Sequence, residues 1–284
     1  MKMHLMKWAR SLIALSLLVA VGASSHPVLK RKSEEDPRGT IIARVLASFT
    51  QHAGPAGLWY AAALEGRHVN TAEFSGFSRQ FETATFASFT YQYQLDGENY
   101  RRVYHARSGH NDPSLGLGDI TPVRRYRSFF DSRGPDVIAW DRPAATGSRV
   151  TPRPVAGKKH AEAAKRDAEL KIARAIERDI LNGRVPAGGY LAGYVSQEPC
   201  PSCEAALQAL SDSQNIRVHV AYLDHGSAAY TIFHRQRLQH LNTIHVSVNG
   251  GQINVLNREG AVMDQVPEPV ACLEPEVQDD PDDT

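Results

Sequence analysis

Apolar residues recur along this chain in more than one rhythm, and the changes of rhythm mark its elements. From Thr40 to Thr50 the apolar positions Ile41, Ile42, Val45, Leu46 and Phe49 fall at helical spacing and predict a first helix. Leu58 to Leu64 is a short apolar run punctuated by Gly66, and together with Val69 to Phe74 it reads as a strand hairpin. Phe89 to Leu95 alternates aromatic and polar residues, Asp96-Gly97 is a favoured tight turn, and Tyr100 to His105 continues the alternation, so a second hairpin is predicted there. Between Ser108 and Arg153 periodicity gives way to Gly, Pro, Asp and Arg, the composition of a long loop or insertion.

From Lys158 the pattern becomes regular. A helix is predicted from His160 to Leu181, ended by Asn182-Gly183, where glycine can adopt the left-handed backbone of a helix end. A strand (Gly189 to Ser196), a helix (Cys200 to Ser211), a strand (Ile216 to Leu223) and a helix (Ala229 to Leu241) follow, then strands from Thr243 to Val248 and from Gln252 to Leu256. Helices alternating with strands imply an α/β fold, a three-layer sheet flanked by helices, with a less regular N-terminal half.

Composition narrows the function classes. A chain of 284 residues, 42% hydrophobic, can bury a substantial core and is not a disordered protein. The formal net charge of +1 excludes a strongly basic nucleic-acid coat. Local clusters such as Arg101-Arg102, Arg124-Arg125-Tyr126-Arg127 and Lys158-Lys159 could still contact phosphate, although clusters of this size are commonly solvated surface.

At the N-terminus Lys2, Lys7 and Arg10 precede an apolar run from Leu12 to Val21 that ends in Gly22-Ala23-Ser24. This is the pattern of a secretory signal peptide, and the run is short for a membrane span, so a secreted or periplasmic protein without a stable span is expected. The expected organisation is a signal peptide (1–24), a polar flexible lead (25–39), an N-terminal region of the same or an accessory domain (40–157), a regular α/β region (158–265) and an acidic, disordered tail (266–284) that carries Glu274, Glu276, Asp279, Asp280, Asp282 and Asp283.

Three cysteines leave one unpaired, so export does not here mean a disulfide scaffold. Cys272 lies beside the acidic tail and is taken as incidental. Cys200 and Cys203, in Pro199-Cys200-Pro201-Ser202-Cys203, stand at the predicted start of a helix after a strand, where two side chains three apart can face one ion and the helix dipole favours thiolates. They form either a metal pair or a redox pair. A hydrolytic metal site needs a third protein ligand, an open position and a proton carrier.

Two triplets upstream offer a ligand followed two residues later by glutamate. His160-Ala161-Glu162 has the commoner ligand type, and Asp167-Ala168-Glu169 has an oxygen ligand, which zinc also accepts. On one helix they would stand about 10 Å apart along the axis, so only one can reach the cysteines. A helix packed on a sheet beyond its metal end needs apolar residues three, four and seven positions after the glutamate. After Glu169 these are Ile172, Ala173 and Ile176; after Glu162 they are Lys165, Arg166 and Glu169. Asp167 as ligand with Glu169 as catalytic acid/base is therefore preferred, with His160 and Glu162 as the alternative.

The segment from Arg166 to Leu223, with Asp-Ala-Glu on a helix, a strand, Pro-Cys-x-x-Cys opening a helix and the strand Ile216 to Val220, resembles the cytidine deaminase-like superfamily, and most of all the bacterial deaminases of polymorphic toxin systems. The resemblance covers about a fifth of the chain as motif. It implies a three-layer deaminase-like sheet and a Zn2+ ion held by Asp167, Cys200 and Cys203. It further implies that Glu169 moves protons while a nucleobase, in a nucleotide or nucleic acid, loses its exocyclic amine to water. A secreted hydrolase of toxin type and a cognate immunity protein are the further expectations it carries. Aspartate in place of histidine adds negative charge, which a cation such as Arg166 would offset.

Two other classes fit part of the pattern. Cys-Pro-x-Cys at a helix start suits an exported thiol oxidoreductase, which gives no reason for the Asp-Ala-Glu triplet. A non-enzymatic secreted protein with structural zinc would need a fourth protein ligand, for which His219 and His225 are the candidates.

Overall fold

The computed structural model describes residues 26–32, 39–63, 71–116, 122, 124–130, 134–153 and 164–243, and the strands within 245–267. The expected signal peptide, His160, Glu162, Cys272 and the acidic tail lie outside the described residues. Among the described residues no helix is long and apolar enough to cross a membrane.

The fold is α/β, with a mixed six-stranded sheet between two layers of helices. In chain order the elements are β1 (Leu29–Lys32), α1 (Thr40–Ala63), α2 (Thr71–Glu82), β2 (Phe86–Leu95), β3 (Glu98–Arg107), β4 (Asp136–Ile138), α3 (Ala168–Leu181), β5 (Tyr190–Val195), α4 (Pro201–Gln214), β6 (Arg217–Tyr222) and α5 (Ala228–Thr243). A separate antiparallel sheet follows, formed by β7 (His245–Asn249), β8 (Gln252–Leu256) and β9 (Val262–Pro267). The main sheet runs in the order β1-β6-β5-β2-β3-β4. Its parallel half, β1, β6 and β5, meets the antiparallel hairpin β2-β3 at the β5/β2 pairing, and β4 adds parallel to β3. The sheet thus draws strands from both sides of the boundary near residue 157.

Alternation along β2 divides the core. Ala87, Phe89 and Tyr91 face α3 and α4 together with Leu191, Val195, Val218 and Val220, against Leu170, Ile172, Ala173, Ile176, Leu207 and Leu210. Phe86 faces the opposite layer, where α1, α2 and α5 enclose Phe49, Trp59, Tyr60, Phe77, Phe81 and Phe233. Gly193 sits at the centre of β5 because Phe89 lies over it: a Cβ there would come within 2.6 Å of the Phe89 ring. The β2-β3 hairpin turns at Asp96 and Gly97, both with positive φ (53° and 82°), as the tight turn requires.

Four expectations change. The run from Leu58 is the buried second half of α1, which continues through Pro55 to Ala63 rather than stopping at Thr50; of the segment expected as the return strand, Val69 and Asn70 lie outside the described residues and Thr71 to Phe74 belong to α2. The lead segment carries β1, paired parallel with β6; Gln208 accepts a hydrogen bond from the Val28 N–H, and Lys30 pairs with Glu198 and Glu204. The helix expected from His160 begins at Ala168, after a turn at 165–166 and an extended Asp167. Residues 165–167, between the His160-Ala161-Glu162 triplet and Glu169, are not helical. Finally, β7 and β8 do not join the main sheet.

Candidate metal centre

Three helix-start features meet at one end of the sheet. Asp167 is the N-cap residue of α3, with extended backbone (φ −66°, ψ 143°), and its carboxylate makes no capping bond to the helix backbone. An aspartate at this position ordinarily caps the helix; here its side chain is directed to the thiols instead. Cys200 is the N-cap of α4, with Pro201 inside the first turn, and its sulfur accepts the Cys203 N–H at 3.3 Å. One turn of helix brings Cys203 beside it.

Asp167 Oδ2 lies 3.4 Å from Cys200 Sγ and 3.3 Å from Cys203 Sγ, and the two sulfurs are 3.3 Å apart. Both cysteines are free thiols. Tetrahedral bonds of about 2.0 Å to oxygen and 2.3 Å to sulfur separate such ligand atoms by roughly 3.5–3.8 Å, so small adjustments would let this triangle hold one ion. These three form the group able to bind a metal ion among the described residues. His219 and His225 are both exposed, His219 against the Tyr190 ring and His225 against that of Tyr230, and neither joins the group. Among the described residues no fourth His, Cys, Asp or Glu joins these three.

Electrostatics bind the group together. Burial raises the Asp167 carboxyl above its ordinary range, partly offset by the thiols of Cys203 and Cys200 and by the Lys171 charge. The hydrogen bond from Cys203 draws the Cys200 thiol down to about 7, and the same bond, with burial and the neighbouring Glu169 and Asp167, pushes the Cys203 thiol up. Glu169, in the first turn of α3, is only 3% exposed. Burial, with the negative charges of Asp167 and Cys200, lifts its carboxyl to about 8. A carboxyl held neutral near pH 7 next to three potential metal ligands is the property a proton carrier needs.

The residues expected to bury beyond Glu169 do so: Ile172, Ala173 and Ile176 are fully enclosed. Arg166 does not serve as the counter-charge. Its guanidinium donates to His110 Nε2 at 2.8 Å, and its carbonyl accepts the Gly109 N–H at 3.0 Å. The buried cation near Asp167 is Lys171, one turn further along α3, whose Nζ donates to the carbonyls of Arg107 (2.8 Å) and Gly109 (2.7 Å). Sequence reasoning passed over it; the signal was a lysine set among Leu170, Ile172 and Ala173 on the buried side of an amphipathic helix.

Lys171 and Arg166 together fasten the loop after β3 to the start of α3. That loop borders a cavity of about 430 Å³ lined by Thr83, Arg107, Gly109, His110 and Asp112 among others. The start of β2 is fastened to the segment before Cys200 in turn, through Ser196 Oγ on the Phe86 N–H and Thr85 Oγ1 on Gln197.

The chain matches no family model, no curated protein and no solved structure.

Proposed function

We propose that this protein is a zinc-dependent hydrolase that removes the exocyclic amine of a nucleobase, presented in a nucleotide or a nucleic acid. The observation that carries the reading is the convergence of Asp167, Cys200 and Cys203 within 3.4 Å of one another, with the buried Glu169 two residues beyond the first of them. The donor set of one carboxylate and two thiols fits zinc, which accepts oxygen and sulfur in tetrahedral sites. Bound there, zinc would supply Lewis acidity toward water.

The residues of the chain do the rest. Glu169 in its ionised form accepts a proton from water; in its neutral form it returns one to the ring nitrogen next to the amine-bearing carbon, and a further proton accompanies the departing ammonia. The carbon gains a water oxygen as its bond to nitrogen breaks, so atoms balance without an external oxidant or reductant. Lys171 limits the negative charge gathered by a carboxylate and two thiolates. The 430 Å³ cavity beside Gly109 and His110 has room for a base. Export, toxin-type action and control by an immunity protein belong to the same proposal and rest on the N-terminal pattern and the motif resemblance.

A thiol oxidoreductase is the second reading, favoured by the lowered Cys200 thiol at a helix N-terminus. Metal analysis separates the two. Purified protein is expected to carry one zinc per chain, lost in Asp167→Ala and in Cys203→Ser; a metal-free protein that cycles Cys200 and Cys203 through a reversible disulfide would replace the deaminase with the oxidoreductase.

A further inference from the structure

The opposite end of the sheet carries an organised row of side chains that the metal site does not use. In register across four adjacent strands stand Arg101 on β3, Gln92 on β2, Tyr190 on β5 and Arg217 on β6. Residues directly opposite one another in neighbouring strands share a face, so the four present a cation, an amide, an aromatic ring and a second cation along one line. Strands lie about 4.8 Å apart, which puts the two ends of the row about 14 Å from each other. Arg101, Gln92 and Arg217 are exposed and Tyr190 is half-buried.

A groove of about 800 Å³ runs along this end. Gln94 and Asn99 continue the face of the row one pair further along the hairpin, Gln94 Nε2 donating to Asn99 Oδ1 at 3.2 Å. Among the described residues that line the groove there are two arginines and no carboxylate. The strand positions on the face of the row add Arg31 and His219, with one carboxylate, Asp136 on β4, 3.1 Å from His105 Nε2.

Two cations flanking an aromatic face, with an amide between them, match a strand of phosphates and unpaired bases: guanidinium groups neutralise phosphates, and a ring stacks a base with little regard to sequence. A duplex would hide the base faces that Tyr190 can reach, and an acidic polypeptide would leave the stacking surface unused. We propose that this groove binds single-stranded nucleic acid. The inference rests on the sheet end alone: the row stands on the α1 side of the sheet, at the other end of β5 from the segment that leads to Cys200.

The test is fluorescence anisotropy of full-length protein with labelled single-stranded DNA and RNA 12-mers of mixed sequence, from 50 to 300 mM salt. Wild type is expected to bind. Arg101→Ala/Arg217→Ala is expected to bind at least tenfold more weakly, with the log-log salt slope smaller by roughly 1.4, about 0.7 for each phosphate that an arginine no longer neutralises on a single strand. Tyr190→Ala is expected to lose fivefold or more, and unchanged metal content and melting temperature would show that the variants are folded. Unchanged affinity in the double variant, or no binding by wild type at 50 mM salt, overturns the proposal. So does retention of a synthetic peptide of residues 273–284 in place of the oligonucleotides, which would make the groove a site for acidic chains. Binding is read without turnover: a protein that binds through Arg101 and Arg217 yet releases no ammonia refutes the deaminase reading and leaves the groove standing.

Discussion

Lys171 Nζ donates to Gly109 O at 2.7 Å, from a position on α3 one turn beyond Asp167. With its second bond, to Arg107 O, this ammonium joins the end of β3 to the helix that positions the candidate ligand. Burial, with the Arg107 charge, lowers its pKa to about 7, and the two carbonyls provide part of what water would have supplied. Lys171→Met should leave both carbonyls without their partner in a closed environment. Destabilisation of about 1–3 kcal/mol is expected, read as a lower urea midpoint at unchanged m-value. A midpoint equal to that of wild type would show that the bonds contribute nothing net.

His52 makes folding sensitive to acid. It is enclosed between Phe86 and Phe130, its Nδ1 bonds Ser48 O at 2.8 Å, and burial lowers its pKa to about 3 from an ordinary 6.5. Between those values the unfolded chain holds a proton that the folded chain does not. Stability present above pH 6.5 is therefore lost on acidification through that window, by up to about 1.4 kcal/mol per pH unit for the one group. Urea unfolding from pH 7.5 to 5.0 should show this slope, and His52→Phe should flatten it; parallel pH profiles would remove His52 as the cause.

Gly193 tests the packing that places β5 against β2. A methyl group there must displace the Phe89 ring or the strand, in a core where neither has space to move. Gly193→Ala is expected to cost about 1–3 kcal/mol, seen as a fall in melting temperature. An unchanged melting temperature would show that Phe89 yields freely.

How much of this was legible beforehand follows from what each segment packs against. The β2-β3 hairpin could be read because its far end is open on both faces and Asp96-Gly97 marks the turn. Residues 58–63 could not, since a helix buried on nearly every side shows no polar stripe; Trp59, Tyr60 and Ala61 are all enclosed, and Pro55 reads locally as a break. β1 has four exposed residues and no alternation, and is a strand through its pairing with β6. The start of α3 was misplaced because residues 158–166 are good helix formers, whereas 165–166 form a turn and Asp167 is extended and directed toward the thiols. Asp167, Cys200 and Cys203 were nevertheless legible as a set, since burial of Ile172, Ala173 and Ile176 fixes which face of α3 meets the sheet. Lys171 was not: its partners are backbone carbonyls, which leave no mark on the sequence.

The deaminase reading stands or falls on Glu169 moving protons for hydrolysis beside a zinc ion held by Asp167, Cys200 and Cys203. The decisive measurement is ammonia release from cytosine- and adenine-containing oligonucleotides and nucleosides by wild type and Glu169→Gln, with zinc content determined on the same samples. Ammonia from wild type, one zinc per chain in both proteins, and a loss of rate of about 10²-fold or more in the variant are expected. Release of ammonia by Glu169→Gln at the wild-type rate, or none from zinc-loaded wild type on any of these substrates, would refute it.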